Sequence, residues 1–245
     1  MRPGPSIIRK CVSCTMPMAQ ATIKSGNTFG ATLWTDGKIE APMLPDLPWF
    51  VKCPHCHSLL WIDEQVELGE AELDCMLISE KEKLSMKPYL KKASLLDIEI
   101  SIPQCVTPSE EELFASMDTN ISDVKKARYL RLRAWWAGND VRRKSRKKHP
   151  LSEKEAKNLQ ALVALLIESD KNDRIMKAEI MRELCRFDDA VSVLAMLPDK
   201  ESIEAVTVIK KLAHKKDPFV SKIPSVDELR KPFIISGVEE KEETK

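Results

Sequence analysis

The chain has 245 residues, 43% hydrophobic and 31% charged, with a formal net charge of +1. This is a globular composition with enough chain to bury a core, which excludes wholesale disorder. The longest apolar runs, such as "ALVALLI", are far too short to span a bilayer, and "MRPGPSIIRKC" starts basic with no apolar stretch behind it, so a cytoplasmic, reducing location is expected.

In chain order, residues 1–62 are rich in Gly, Pro and Thr, with the strand-like pieces "TFGATLWT", "PWFVK" and "SLLWI". "TDGK", Thr35 to Lys38, predicts a hairpin with Asp-Gly in a tight primed turn. Residues 63–106 form an acidic connecting segment. Within it "DEQVELGEAELD" reads as loop or frayed helix, and "SLLDIEISIPQCV" alternates like a strand.

From about residue 107 the pattern becomes helical. "TPSE" supplies a Thr107 N-cap, Pro108 at the first helical position and Glu110 to close a capping box, and "SEKE", Ser152 to Glu155, repeats the device. Leu159, Leu162, Val163 and Leu166 follow as one apolar stripe. Helices are expected near 109–117, 122–138, 152–168, 172–185, 188–197 and 201–214. The fold class is therefore α+β: a small β-rich N-terminal domain over 1–62, a helical bundle over 107–216, and an extended tail over 217–245 whose end, "GVEEKEETK", is expected to be disordered.

Four of the seven cysteines form two pairs, "CVSC" and "CPHC", in a C-x2-C-x38-C-x2-C arrangement of Cys11, Cys14, Cys53 and Cys56. Two residues between thiols let one tight turn aim both sulfurs at a single ion, and two such turns complete a tetrahedron suited to Zn2+. Four protein ligands leave no open coordination position, so one structural zinc is expected rather than a catalytic one. Two other readings stay open: His55 or His57 in place of one thiolate, and "CPHC" as the redox tetrapeptide of a thiol oxidoreductase. Cys75, Cys105 and Cys185 read as small buried apolar residues.

The pairs and the strand directly after Cys56 resemble the zinc-ribbon fold group over about the first 62 residues. His57 stands where the group usually has a knuckle glycine, "CVSC" lacks the proline of "CPHC", and the gap between the pairs is long. "AEIMRELCRFDDAVSVLAMLP", Ala178 to Pro198, resembles a tetratricopeptide helical hairpin, with Ala178, Phe187 and Ala190 at the expected small and aromatic positions. Cys185 replaces the usual turn glycine, and Pro198 comes early for the closing proline. Together the two halves look like uncharacterised bacterial zinc-ribbon proteins with a C-terminal tetratricopeptide-like hairpin, a resemblance that implies architecture only.

Residues 125–149 carry eleven Lys or Arg against Asp140 alone, a local charge of +10. Arg142, Arg143, Arg146 and Lys147 are the candidate nucleic-acid or anion surface, with Trp135 and Trp136 as stacking candidates. Against this, residues 63–74 hold six acids and no base that could neutralise the block, and both tryptophans sit on a predicted helix with an apolar face. The seven glycines form no phosphate loop, and no HExxH or G-x-S-x-G occurs. The expectation is a non-catalytic cytoplasmic zinc-binding scaffold or adaptor with an unidentified protein partner, no membrane and no small-molecule substrate. Nucleic-acid binding is the alternative, and a CxxC thiol oxidoreductase the second alternative.

Overall fold

The computed structural model describes residues 1–71, 102–117, 122–145, 149–197 and 204–224. Short antiparallel strands occupy the N-terminal part and six helices follow among the described residues, an α+β layout. The strands are β1 (Arg2–Pro3), β2 (Ser6–Lys10), β3 (Pro17–Gln20), β4 (Ile23–Ser25), β5 (Thr32–Trp34), β6 (Ile39–Glu40), β7 (Phe50–Lys52), β8 (Leu59–Trp61) and β9 (Val66–Ala71). The helices are α1 (Glu110–Met117), α2 (Val124–Lys144), α3 (Glu153–Val163), α4 (Lys171–Glu183), α5 (Phe187–Ala195) and α6 (Glu204–His214), and β10 (Lys222–Ile223) ends the described chain.

Two hairpins carry the cysteine pairs: β2 pairs with β3 around Cys11 and Cys14, and β7 with β8 around Cys53 and Cys56. After a short 3-10 turn over Ile62–Glu64, the acidic connector is neither loop nor frayed helix. It forms β9, which pairs with the other edge of β2, so the order is β3-β2-β9. The alternating piece before Pro103 lies mostly outside the described residues. Where the chain is next described, Gln104 bridges Ala19 and Val106 bridges Lys52, which ties it to both hairpins.

The β5–β6 hairpin forms where Asp-Gly predicts it, with a different turn. Gly37 N–H donates to Trp34 C=O at 2.9 Å, Trp34 N–H donates to Lys38 C=O at 3.0 Å, and Gly37 alone takes a positive φ, +78°. This is a three-residue turn with glycine at the left-handed position rather than a two-residue primed turn. It leaves Asp36 folded back and buried. β10 then pairs with β5, so the tail expected from residue 217 contributes a strand to an N-terminal sheet before passing beyond the described residues.

α1 begins later than "TPSE" suggests, because Val106 is held extended by paired hydrogen bonds to Lys52. The capping box is Ser109 with Glu112: Ser109 N–H donates to the Glu112 carboxylate at 2.8 Å, and Glu112 N–H to Ser109 Oγ at 3.3 Å. The Ser152–Glu155 box forms as expected. α2 runs to Lys144, beyond the expected end, and α3 stops at Val163, before it. α4 ends in a Schellman motif, with Arg186 N–H bonded to Met181 C=O at 2.8 Å and Cys185 N–H to Arg182 C=O at 3.0 Å. Cys185 takes the glycine-like φ of +61° there.

Apolar packing divides into several small clusters. Cys11, Met18, Val51, Cys53, Leu60 and Ile62 surround the thiols. Phe50 joins Leu113, Phe114, Leu130 and Ala134, which seats the second cysteine hairpin on α1 and α2. Trp135, Leu159, Leu162 and Ile180 knit α2, α3 and α4, so the predicted stripe faces a core. Ala178 and Ala190 are fully buried where α4, α5 and α6 approach. No helix among the described residues is long and apolar enough to cross a membrane.

Candidate metal centre

The two cysteine turns are built alike. Thr15 N–H donates to Cys11 C=O at 2.8 Å and His57 N–H to Cys53 C=O at 3.0 Å; Cys11 N–H reaches Met16 C=O at 3.0 Å and Cys53 N–H reaches Ser58 C=O at 2.9 Å. Thr15 and His57 both take φ +61°, the left-handed conformation that glycine adopts most easily. His57 thus adopts the conformation a glycine would take, and the two turns match in both φ and hydrogen bonding.

These turns bring all four sulfurs within 4.8 Å of one another. Cys11 and Cys56 Sγ are 3.8 Å apart, as are Cys14 and Cys53. A tetrahedral ion with metal–sulfur bonds of about 2.3 Å sets its ligand sulfurs about 3.8 Å apart, so the donor set fits a four-thiolate metal. Cys11 and Cys53 are buried, Cys14 is half-buried and Cys56 is exposed. His55 instead places Nε2 2.9 Å from Pro17 C=O, linking the two turns, and neither histidine joins the cluster.

The electrostatics ask for a cation. Hydrogen bonds from the Ser58 hydroxyl and amide draw Cys56 down to about 6. Cys14 is held down by the Met16 amide, but burial and the other three thiols outweigh it and push it up to about 12. Burial also raises Cys53, against the amides of His55 and Cys56. Thiols this close resist ionising together, and a divalent ion among them removes the conflict by deprotonating its ligands. Cys105 packs beside the cluster without joining it, raised to about 12 by burial and the Cys53 charge.

Sequence reasoning misses the clamp around this centre. Buried Gln65 accepts the Val12 amide at 3.0 Å, donates to Trp61 C=O at 3.0 Å, and offers its own carbonyl to Arg9 at 3.0 Å. It thereby joins the first turn to the second hairpin, and nothing in its acidic neighbourhood signals that role.

Among the described residues, five bases of the basic segment are paired within the fold. Arg142 is buried, with Nη1 and Nη2 at 2.6 and 3.0 Å from the Glu155 carboxylate and further bonds to the carbonyls of His149 and Pro150. Arg143 is buried against Asp36 and Asp140. Lys126 pairs with Glu64, Arg128 with Asp173, and Arg133 with Asp46. Arg146 and Lys147 lie outside the described residues. Trp135 is buried and donates to Glu183 at 2.8 Å, while Trp136 donates to Asp36 C=O at 3.1 Å.

Asp36 and Glu183 are a second surprise. Asn139 Nδ2 donates to both, at 3.0 Å each, and Arg143 completes the contact with Asp36. Burial raises Asp36 despite Arg143, and burial with the charges of Glu179 and Asp36 pushes Glu183 up to about 8. This network joins the β5–β6 turn to α2 and α4. In comparisons with known proteins, no family model, no curated protein and no solved structure matches this chain.

Proposed function

We propose that the chain is a non-catalytic adaptor whose first half is organised by one structural Zn2+ on Cys11, Cys14, Cys53 and Cys56, and whose tetratricopeptide-like α4–α5 hairpin belongs to a scaffold for a protein partner in a reducing compartment. The observation that carries the reading is the sulfur quartet, with its 3.8 Å spacings and two matching turns. Such a site supplies folding energy and no open coordination position. The redox reading lacks its usual support, because Cys53 follows a strand and opens a β-turn rather than a helix whose N-terminus would activate a thiol.

Elemental analysis of protein purified under reducing, metal-sparing conditions tests the proposal. About one zinc per chain is expected, lost when any one of the four cysteines becomes serine. Metal-free protein with a disulfide mapped between Cys53 and Cys56 would overturn it in favour of thiol redox chemistry.

A further inference from the structure

α2 is the most basic helix, yet the face it turns toward the N-terminal strands is acidic where it meets solvent. In three ion pairs there, the carboxylate is the exposed member. Asp46 is 56% exposed against 17% for Arg133, and Glu64 53% against 27% for Lys126. Asp140 is 33% exposed against 22% for Lys38, whose other neighbour Glu40 is 43% exposed. A ligand approaching this face meets carboxylates, with the cations tucked beneath them.

The same face holds a cleft of about 450 Å3 between the chain after β6 and helices α1 and α2, lined by Glu40, Asp46 and Asp140 with their partners Lys38 and Arg133 as well as by apolar groups. Pro42, Pro45, Pro108, Leu113, Trp136 and Ala137 supply its apolar wall. Arg133 and Asp46 form part of its rim and connect it to a neighbouring aromatic platform. There Trp49 stacks on Tyr129, centroids 5.2 Å apart and planes 6° apart, and Arg133 lies 5.7 Å from the Tyr129 ring. The Tyr129 hydroxyl accepts the Trp49 amide at 2.8 Å, which pins the stack. Trp49 is still 63% exposed, so with one ring face on Tyr129 its other face is open to solvent.

An open indole beside this cleft, rimmed by outward carboxylates, has a definite complement. The geometry points to a docking site for an extended, basic, proline-containing segment of a partner protein. Its Arg or Lys side chain lies on the free face of Trp49 while prolines fill the cleft. Cations are attracted to the indole face, and preformed extended proline helices dock in aromatic grooves with little ordering cost. Phosphate chains would meet the exposed carboxylates first, which disfavours nucleic acid at this face. The site rests on the adaptor reading and names the chemistry of its partner.

The test is fluorescence anisotropy of the full chain, zinc-loaded, with three labelled probes: a peptide of repeated Arg-Pro-Pro triplets, its Glu-Pro-Pro counterpart, and oligo-dT. The Arg-Pro-Pro peptide alone should bind, and more weakly as salt rises. Trp49→Ala should weaken it roughly tenfold through loss of the stacked cation. Asp46→Asn with Glu40→Gln should weaken it roughly threefold or more while keeping the Glu40 hydrogen bond to Trp34. All variants should retain wild-type circular dichroism and zinc content. No binding, equal binding of the acidic peptide, preference for oligo-dT, or indifference to Trp49→Ala each overturns the site. A partner then still retained by Cys53-intact protein on another face would leave the adaptor reading standing, so the two failures are separable.

Discussion

The cysteine-bearing half and the helical half solve the same problem with different means. Around the thiols the strands are three to six residues long, and the buried cluster there sets Cys11 and Cys53 among only four other residues, Met18, Val51, Leu60 and Ile62. Such short ladders have little apolar surface to offset backbone entropy, and a metal held by the four sulfurs would supply what a core cannot. Among the described residues, helices α3 to α6 have no such device and rely on apolar clusters through Trp135, Leu159 and Ile180 and through Ala178 and Leu194. Between them, α1 and the first half of α2 lean on Phe50, which belongs to a cysteine hairpin. The boundary in metal dependence should therefore fall within the helical region rather than at its start.

The largest expected effect breaks that contrast most directly. Chelation, or Cys53→Ser, should unfold β2, β3, β7 and β8 and release α1, since structural zinc contributes on the order of 10 kcal/mol to folding in small domains. α4 and α5 should keep their protection. Hydrogen exchange by mass spectrometry, read segment by segment, checks this. Uniform loss of protection through α5 would mean a single cooperative core instead.

The next effect concerns the joint between halves. Arg143→Ala leaves buried Asp36 without its cation, an expected loss of about 3–5 kcal/mol, while Asp36→Ala leaves Arg143 paired with Asp140 and should cost less. The double substitution should cost less than the sum of the two, measured by urea unfolding. Equal additivity would show that the pair does not couple the halves.

What could be read from the sequence follows from the range of each interaction. The cysteine quartet is legible because ligand spacing within a turn is local, and the helices are legible because periodicity and the Ser152–Glu155 box are local too. Arg143 and Asp36 are 107 residues apart, and neither has a neighbour in sequence that announces the other. The basic segment therefore gives no sign in sequence that Lys126, Arg133, Arg142 and Arg143 are paired with Glu64, Asp46, Glu155 and Asp36 in the fold. β9 was obscured for a related reason: its acids and Gly69 lower strand propensity, and only the waiting edge of β2 makes it a strand.

A smaller, pH-dependent effect sharpens the account of the joint. Glu183 is raised to about 8 when folded, so its contribution to stability is fully present below its unfolded value near 4.5 and is lost as pH rises through 8. Wild-type stability should fall by roughly 2–4 kcal/mol between pH 5 and pH 9 from this group. Glu183→Gln should flatten that slope, whatever its absolute stability, because glutamine cannot ionise. Thermal unfolding at the two pH values measures it. An unchanged slope would place the titration elsewhere.

The smallest effect separates the two cysteine turns from each other. Thr15 and His57 hold the same φ of +61° and both are exposed, so neither side chain has packing to lose. A left-handed residue with a Cβ costs roughly 1–2 kcal/mol, and glycine returns part of that through its larger unfolded entropy, so a net gain of about 0.5–1 kcal/mol is expected from Thr15→Gly. His57→Gly should gain less, because histidine enters this region more readily than a β-branched residue. Alanine at either position keeps the Cβ and should gain less than glycine, which distinguishes relief of backbone strain from any effect of removing the side chain. Chelator-titrated unfolding of the four variants resolves the order. If alanine stabilises as well as glycine, the left-handed conformation is not the source of the cost. If His57→Gly exceeds Thr15→Gly, the second turn is the more strained of the two and the likeness in their hydrogen bonds hides a difference in energy.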